Sequence, residues 1–288
     1  MTARITKQGM LDFSVAPRQQ TMWGSREGLV FSLEGVAVTL FVFSMFSLWT
    51  LGMLIGLVAL STAILLLLSH LGQPLRAWRA IINVRHSWIS RGTFAMGVFW
   101  FLGIAYLAMH LLPELGWATR FEIMIQAVLS FIALFILLYP GFAMAASAAI
   151  AFWTTPLQPL LSLVNGLASG LLVHAACVTL DWAPPLQILS IETREVITHA
   201  ILLLAIVLVI YLLTIRGKSA AAALSVKLLF TSENLLFGVA ACLIGIVLPS
   251  VCVFISAELI PLAAVARLVG DVSLRYAVLK VGLYESVA

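Results

Sequence analysis

Long apolar runs separated by short polar stretches set the pattern of this chain. Runs of about twenty apolar residues, the length that spans the hydrocarbon of a bilayer as a helix, fall near 28–48, 51–71, 93–112, 121–139, 157–179, 196–215 and 234–254. An eighth, from near Glu258 to near Tyr276, is interrupted by Arg267, Asp271 and Arg275. These three are each four apart, so they share one helix face and are expected to form an internal salt-bridge ladder turned toward protein rather than lipid. The pattern predicts an all-α integral membrane protein with eight transmembrane helices, which parity arranges as two four-helix groups, 1–4 and 5–8. Residues 1–25 are polar and mixed and read as an N-terminal surface segment; residues 26–288 read as one membrane domain.

Prolines mark the helix ends. Pro113 closes helix 3 and Pro140 stands at the end of helix 4. Residues 140–156 carry no charge but contain Pro140, Gly141 and Pro156. Either helix 4 runs on past a proline kink, or this stretch is a tight interfacial loop. Helix 5 is rich in small residues (Gly166, Ala168, Ser169, Gly170), which let neighbouring helices approach closely.

The polar stretches differ in charge. His70–Gly92, HLGQPLRAWRAIINVRHSWISRG, holds Arg76, Arg79, Arg85 and Arg91. Four unpaired guanidinium groups cannot sit in hydrocarbon, so this strip belongs at one membrane surface. With eight crossings, every Lys and Arg except Arg120, Arg194 and Arg267 falls on the side that also carries both termini. That bias makes this side cytoplasmic; the membrane itself is expected to be the inner membrane of a prokaryote.

Composition supports the membrane reading. Of 288 residues 62% are hydrophobic and 10% charged, where soluble domains carry about 25% charged residues; mean hydropathy is +1.12. The N-terminus lacks the short apolar core and small-residue cleavage site of a signal peptide, so helix 1 is expected to act as its own insertion signal. A net charge of +4 gives no reason to expect nucleic acid. Cys177, Cys242 and Cys252 lie in apolar runs without CxxC or Cys/His spacing, so neither a zinc nor an iron–sulfur site is expected.

A few residues stand out chemically. Glu34 sits inside helix 1, where a carboxylate needs a partner, a proton or a wet cavity; it is either a hydrogen-bonded structural group or a proton carrier. His70 and Arg91 flank the basic strip, and Tyr139 precedes the Pro140–Gly141 pair. Each reads either as interfacial belt material or as a contact to a polar head group. Arg76, Arg79 and Arg85 offer a docking surface for a partner or for lipid phosphates. His110, His174 and His199 all fall near the side opposite the basic strip, which leaves bis-histidine haem ligation conceivable.

The runs HLGQPLRAW, SWISRG and YPGFAMAASAAIAFWTTPLQPLLSLVNGLASG resemble the membrane subunit of polysulfide reductase and its NrfD-type relatives. The C-terminal LVGDVSLRYAVLKVGLY also resembles the anchor subunit of dimethyl sulfoxide reductase, a distant cousin. The resemblance covers about residues 20–284 and is most specific over 70–92 and 139–170. It implies a quinone-reactive anchor subunit, working with menaquinone or ubiquinone and holding no haem or metal of its own. It also implies two partners: a ferredoxin-like iron–sulfur subunit with four clusters, and a molybdopterin (molybdenum or tungsten) catalytic subunit. His70, Arg91 and Tyr139 fall on motif positions and are the quinone-site candidates that the resemblance supplies. The family commonly has a Gly-Gly pair in its first helix where this chain has Glu34-Gly35, which adds a proton-transfer candidate. The alternative reading, a secondary transporter or ion-translocating bundle, calls for inverted repeats and helices broken at the midplane. Only the Pro140 region offers such a break.

Overall fold

The computed structural model of the chain describes residues 17–69, 84–112, 121–186 and 193–285. Its helices are α1 (Ser25–Phe46), α2 (Thr50–Ser69), α3 (Trp88–Leu111), α4 (Glu122–Ala145), α5 (Leu157–Thr179), α6 (Thr193–Arg216) and α7 (Ala220–Phe230). A π-helical stretch, Leu235–Val247, then runs into α8 (Leu248–Ile255), and α9 (Ile260–Lys280) follows. In hydrocarbon every backbone N–H and C=O must be satisfied within the chain, so the apolar runs can only be helices. Among the described residues seven helices are long and apolar enough to cross a membrane: α1 to α6 and the composite Leu235–Ile255. The eighth run forms the 21-residue α9, whose Arg267, Asp271 and Arg275 are all buried.

The outer faces are greasy. Phe101, Phe131, Phe254 and Ile123 are all at least 70% exposed, as suits side chains that meet lipid tails rather than water. The inside is built around two helices. Within α1 and α5, 67% and 72% of the central window is buried, against 28–33% for the other five apolar spans. α1 packs on α2, α4, α5 and α9, while α5 packs on α1, α4, α6 and α9.

Small residues set these contacts. A Cβ on Gly166 would lie 3.4 Å from the Cα of Gly35, and one on Gly170 would lie 2.4 Å from the Cβ of Thr39, so α1 and α5 meet almost backbone to backbone. The π stretch and α9 do the same at Gly245 and Gly270.

Helix 4 does not stop at Tyr139. α4 continues through Pro140 to Ala145, so the continuation past the proline is the correct alternative. A proline inside a helix leaves only one i–4 carbonyl without its donor. Gly141 then lets the start of α5 press in, since a Cβ there would lie 2.3 Å from the Cα of Pro159. Residues 146–156 form the turn that follows, and it folds inward: Ile150, Phe152 and Trp153 are buried. Tyr211 donates to the Phe152 carbonyl at 2.7 Å, and Trp153 donates its indole N–H to the Val278 carbonyl at 3.0 Å. α7 also appears in a stretch read as loop. Ser219 caps it by accepting from the Ala222 N–H.

At this same end the polar leader meets the tail. Gln19 and Leu283 form an antiparallel bridge, the Tyr284 N–H donates to the Arg18 carbonyl at 2.9 Å, and Gln20 donates to the Leu279 carbonyl at 2.8 Å. The described part of the leader is therefore bonded to the end of α9.

Candidate functional site

Two of the sequence candidates come together inside this frame. Glu34, on the α1 face that meets α4, is fully buried, and so is Tyr139 from α4. The Tyr139 hydroxyl donates to Glu34 Oε2 at 2.7 Å. Glu34 Oε1 is buried and has no hydrogen-bond partner among the described residues. This oxygen is therefore a free acceptor in the interior, and a buried polar atom without a partner is costly.

The tyrosine is held by sequence choices on two other helices. Its ring lies over Gly92, where a Cβ would sit 2.2 Å from the ring. The glycine of SWISRG is thus required by packing. Phe31 meets the same ring edge-on at 6.2 Å, Trp23 meets Phe31 at 5.9 Å, and Trp153 stacks on Trp23 at 5.6 Å. A file of aromatic rings therefore leads from the turn after α4 to the Tyr139–Glu34 pair.

Arg91 does not join the pair. It precedes Gly92 by one residue, which turns it about 100° around α3. Its guanidinium stacks over Trp88 at 4.4 Å and donates to the Val84 and Arg85 carbonyls, both at 2.9 Å. It borders an apolar groove of about 300 Å³ between α3 and α4, lined by Phe94, Val98, Phe131 and Phe135. Arg85 is exposed in the turn before α3. His70, Arg76 and Arg79 lie outside the described residues.

A second buried polar group sits beside the pair. Asp271 accepts from Arg275 Nε at 2.8 Å, from Ser32 at 3.2 Å, and from Asn165. Arg267 does not complete the expected ladder on α9. It donates instead to Ser169, to the Asn165 side-chain oxygen and to the Gly245 carbonyl. Arg275 also donates to the Ser162 hydroxyl at 3.1 Å. Asn165 thus bridges anion and cation. Sequence reading missed it, together with Ser162 and Ser169, although a signal was present. Gln158, Ser162, Asn165 and Ser169 recur at helical spacing along one face of an otherwise apolar helix.

The three histidines do not converge. His174 shares a hydrogen bond with Ser47 at 3.1 Å, His110 lies 3.5 Å from Glu122, and His199 bonds the Glu195 carbonyl within its own helix. Among the described residues no group of three or more His, Cys, Asp or Glu side chains is arranged to hold a metal ion.

A family model described as "Polysulphide reductase, NrfD" matches residues 37–287. Tyr139, Asn165, Asp271 and Arg275 fall inside that span, and Glu34 lies just before it. Among curated proteins, a sulfite dehydrogenase subunit of Allochromatium vinosum is 32% identical to the chain over 136 residues, 44% of this chain and 42% of that protein. The match therefore spans less than half the length of that relative.

Proposed function

The chain belongs to the NrfD polysulphide reductase family, and on that premise we propose that it is the quinone-reactive membrane subunit of a multi-subunit oxidoreductase. In this role it exchanges electrons between the membrane quinone pool and a docked iron–sulfur subunit, which in turn serves a molybdopterin catalytic subunit. The observation that carries the reading is the buried Tyr139–Glu34 pair, with one carboxylate oxygen left free. A free acceptor beside a hydroxyl, approached through Trp23 and Phe31, suits a quinol head group, which has hydroxyls to donate and a flat ring to stack. The quinone, menaquinone or ubiquinone, supplies two-electron, two-proton redox chemistry when bound.

The protein's own contribution is proton handling and exclusion of water. Glu34 Oε1 accepts a hydrogen bond or a proton, and Tyr139 holds Oε2 so that Oε1 faces the ligand. His70 in the basic strip is the proposed second contact to the head group. Arg91 faces the outer groove, so in this reading it anchors α3 to the interface and ties down the loop carbonyls. α9 is the proposed eighth crossing, its charges compensated by α5. The basic strip and both termini then share the cytoplasmic side of an inner membrane.

Arg76, Arg79 and Arg85 are the proposed docking surface for the iron–sulfur partner. Reversing Arg76 and Arg79 to Glu is expected to release that partner while leaving the membrane subunit in place. Affinity purification through this chain, followed by mass spectrometry, checks this. Undiminished co-purification assigns these arginines to lipid phosphates instead.

Gentle purification from native membranes tests the whole reading. An iron–sulfur subunit and a molybdopterin subunit should accompany the chain, with broad iron–sulfur absorption. A chain that purifies alone and colourless overturns the reading and favours an ion-translocating bundle.

A further inference from the structure

A carboxylate inside a helix bundle needs a nearby positive charge whenever it is ionised. Among the described residues two cations are buried at this depth, Arg267 and Arg275. Arg267 faces Ser169, Asn165 and the Gly245 carbonyl, on the side of α9 that meets the π stretch. Arg275 points the other way. Its Nη2 lies 3.3 Å from where a Cβ on Gly35 would be and 3.4 Å from the corresponding point on Gly166. The guanidinium therefore enters the slot where α1 and α5 meet glycine to glycine, directly behind the residue that follows Glu34. The Arg275 and Glu34 side chains are both buried, so their charges act on each other with little screening by water.

The charge count agrees. Asp271 compensates one of the two buried guanidinium groups through its ion pair with Arg275. Taken together, Arg267 and Arg275 face Asp271 and Glu34 in the interior, so the buried cluster is neutral only when Glu34 is ionised as well as Asp271.

We propose that Arg275 is the positioning residue for Glu34: inserted between Gly35 and Gly166 and anchored on Asp271 and Ser162, it supplies the counter-charge that lets Glu34 give up and regain a proton. The glycines at 35 and 166 are then part of the device, because a side chain at either would press on the guanidinium or on the opposite helix. This inference rests on the proposed role of Glu34 in quinol chemistry.

The test uses the full chain with its co-purified partners. Quinol turnover is compared in wild type, E34Q, R275Q, R275K, R267Q and the E34Q/R275Q double variant. R275Q is expected to lose about tenfold or more in kcat with little change in quinol KM, and R275K to recover part of the loss. The double variant should fall no further than E34Q alone, because the two groups act as a unit. Losses that multiply overturn the proposal.

Infrared spectroscopy of the purified chain gives a readout that needs no quinol. The carboxyl absorption that disappears in E34Q should be displaced in R275Q and unmoved in R267Q, where an equally buried cation is lost. Equal displacement in both, or in neither, overturns the proposal. Should R275Q fail to accumulate, G35A replaces it. That variant keeps every charge, presses a methyl on the guanidinium, and is likewise expected to displace the band. A wild-type complex with no quinol turnover sinks the functional reading, and the infrared result still decides the positioning role on its own.

Discussion

Asp271→Ala is expected to remove most of the folded protein from the membrane. Asp271 is fully buried and is the shared acceptor for Arg275, Asn165 and Ser32. Without it, two guanidinium groups stay in the interior, with Glu34 as the one other buried anion beside them among the described residues. Breaking a buried ion pair by removing one partner costs about 3–5 kcal/mol, against a total stability of about 5–15 kcal/mol for a typical domain. The loss cannot be recovered by turning an arginine to solvent, since Arg267 and Arg275 are enclosed by α5, the π stretch and α1. Asp271→Asn keeps an acceptor for Asn165 and Ser32 and should fall between wild type and alanine. Adding Arg275→Met to Asp271→Ala should restore part of the yield, because it removes one of the stranded charges. Size-exclusion profiles of detergent extracts, taken after a series of heating steps, measure all three.

The second large effect falls on activity rather than folding. Glu34→Gln preserves the shape of the side chain and an acceptor for the Tyr139 hydroxyl, so the α1–α4 contact survives. It removes the group's capacity to take up a proton. General acid–base groups contribute about 10²–10⁴-fold to the reactions they serve. A loss of about 100-fold in quinol-linked electron transfer is therefore expected, with assembly and partner binding intact. Tyr139→Phe should cost less, since the carboxylate remains and only its orientation is released.

The sequence made the helices legible because a bilayer admits few alternatives. Apolar runs of the right length must be helical, and their ends came within about five residues except at Pro140. There the chain absorbed the proline into α4 because Gly141 could seat against the start of α5, a tertiary fact with no local signature. The π stretch was invisible for a similar reason: its hydrophobic pattern is that of any apolar helix, and what distinguishes it is a backbone-to-backbone approach at Gly245 and Gly270.

The site was legible in its parts and not in its assembly. Glu34 stood out as a carboxylate inside an apolar helix, and Tyr139 by its place before Pro140 and Gly141. Their pairing joins residues far apart in sequence and depends on how α1 meets α4. Arg91 read as part of the same site because it falls on a motif position of the resembled family. The helix turns it toward the outer groove, while Gly92 carries the tyrosine. Asn165 was the opposite case. Its stripe on α5 was present in the spacing, but uncharged residues in a membrane helix draw less attention than the arginines they hold.

The most direct measurement of the central claim is quinol oxidation by the complex purified through this chain, with Glu34→Gln compared with wild type at equal partner content. Turnover reduced about 100-fold, with quinol binding retained, is the expected result for a proton-handling carboxylate at a quinone site. Turnover equal to wild type would contradict it, leaving Glu34 and Tyr139 as a structural hydrogen bond between two helices.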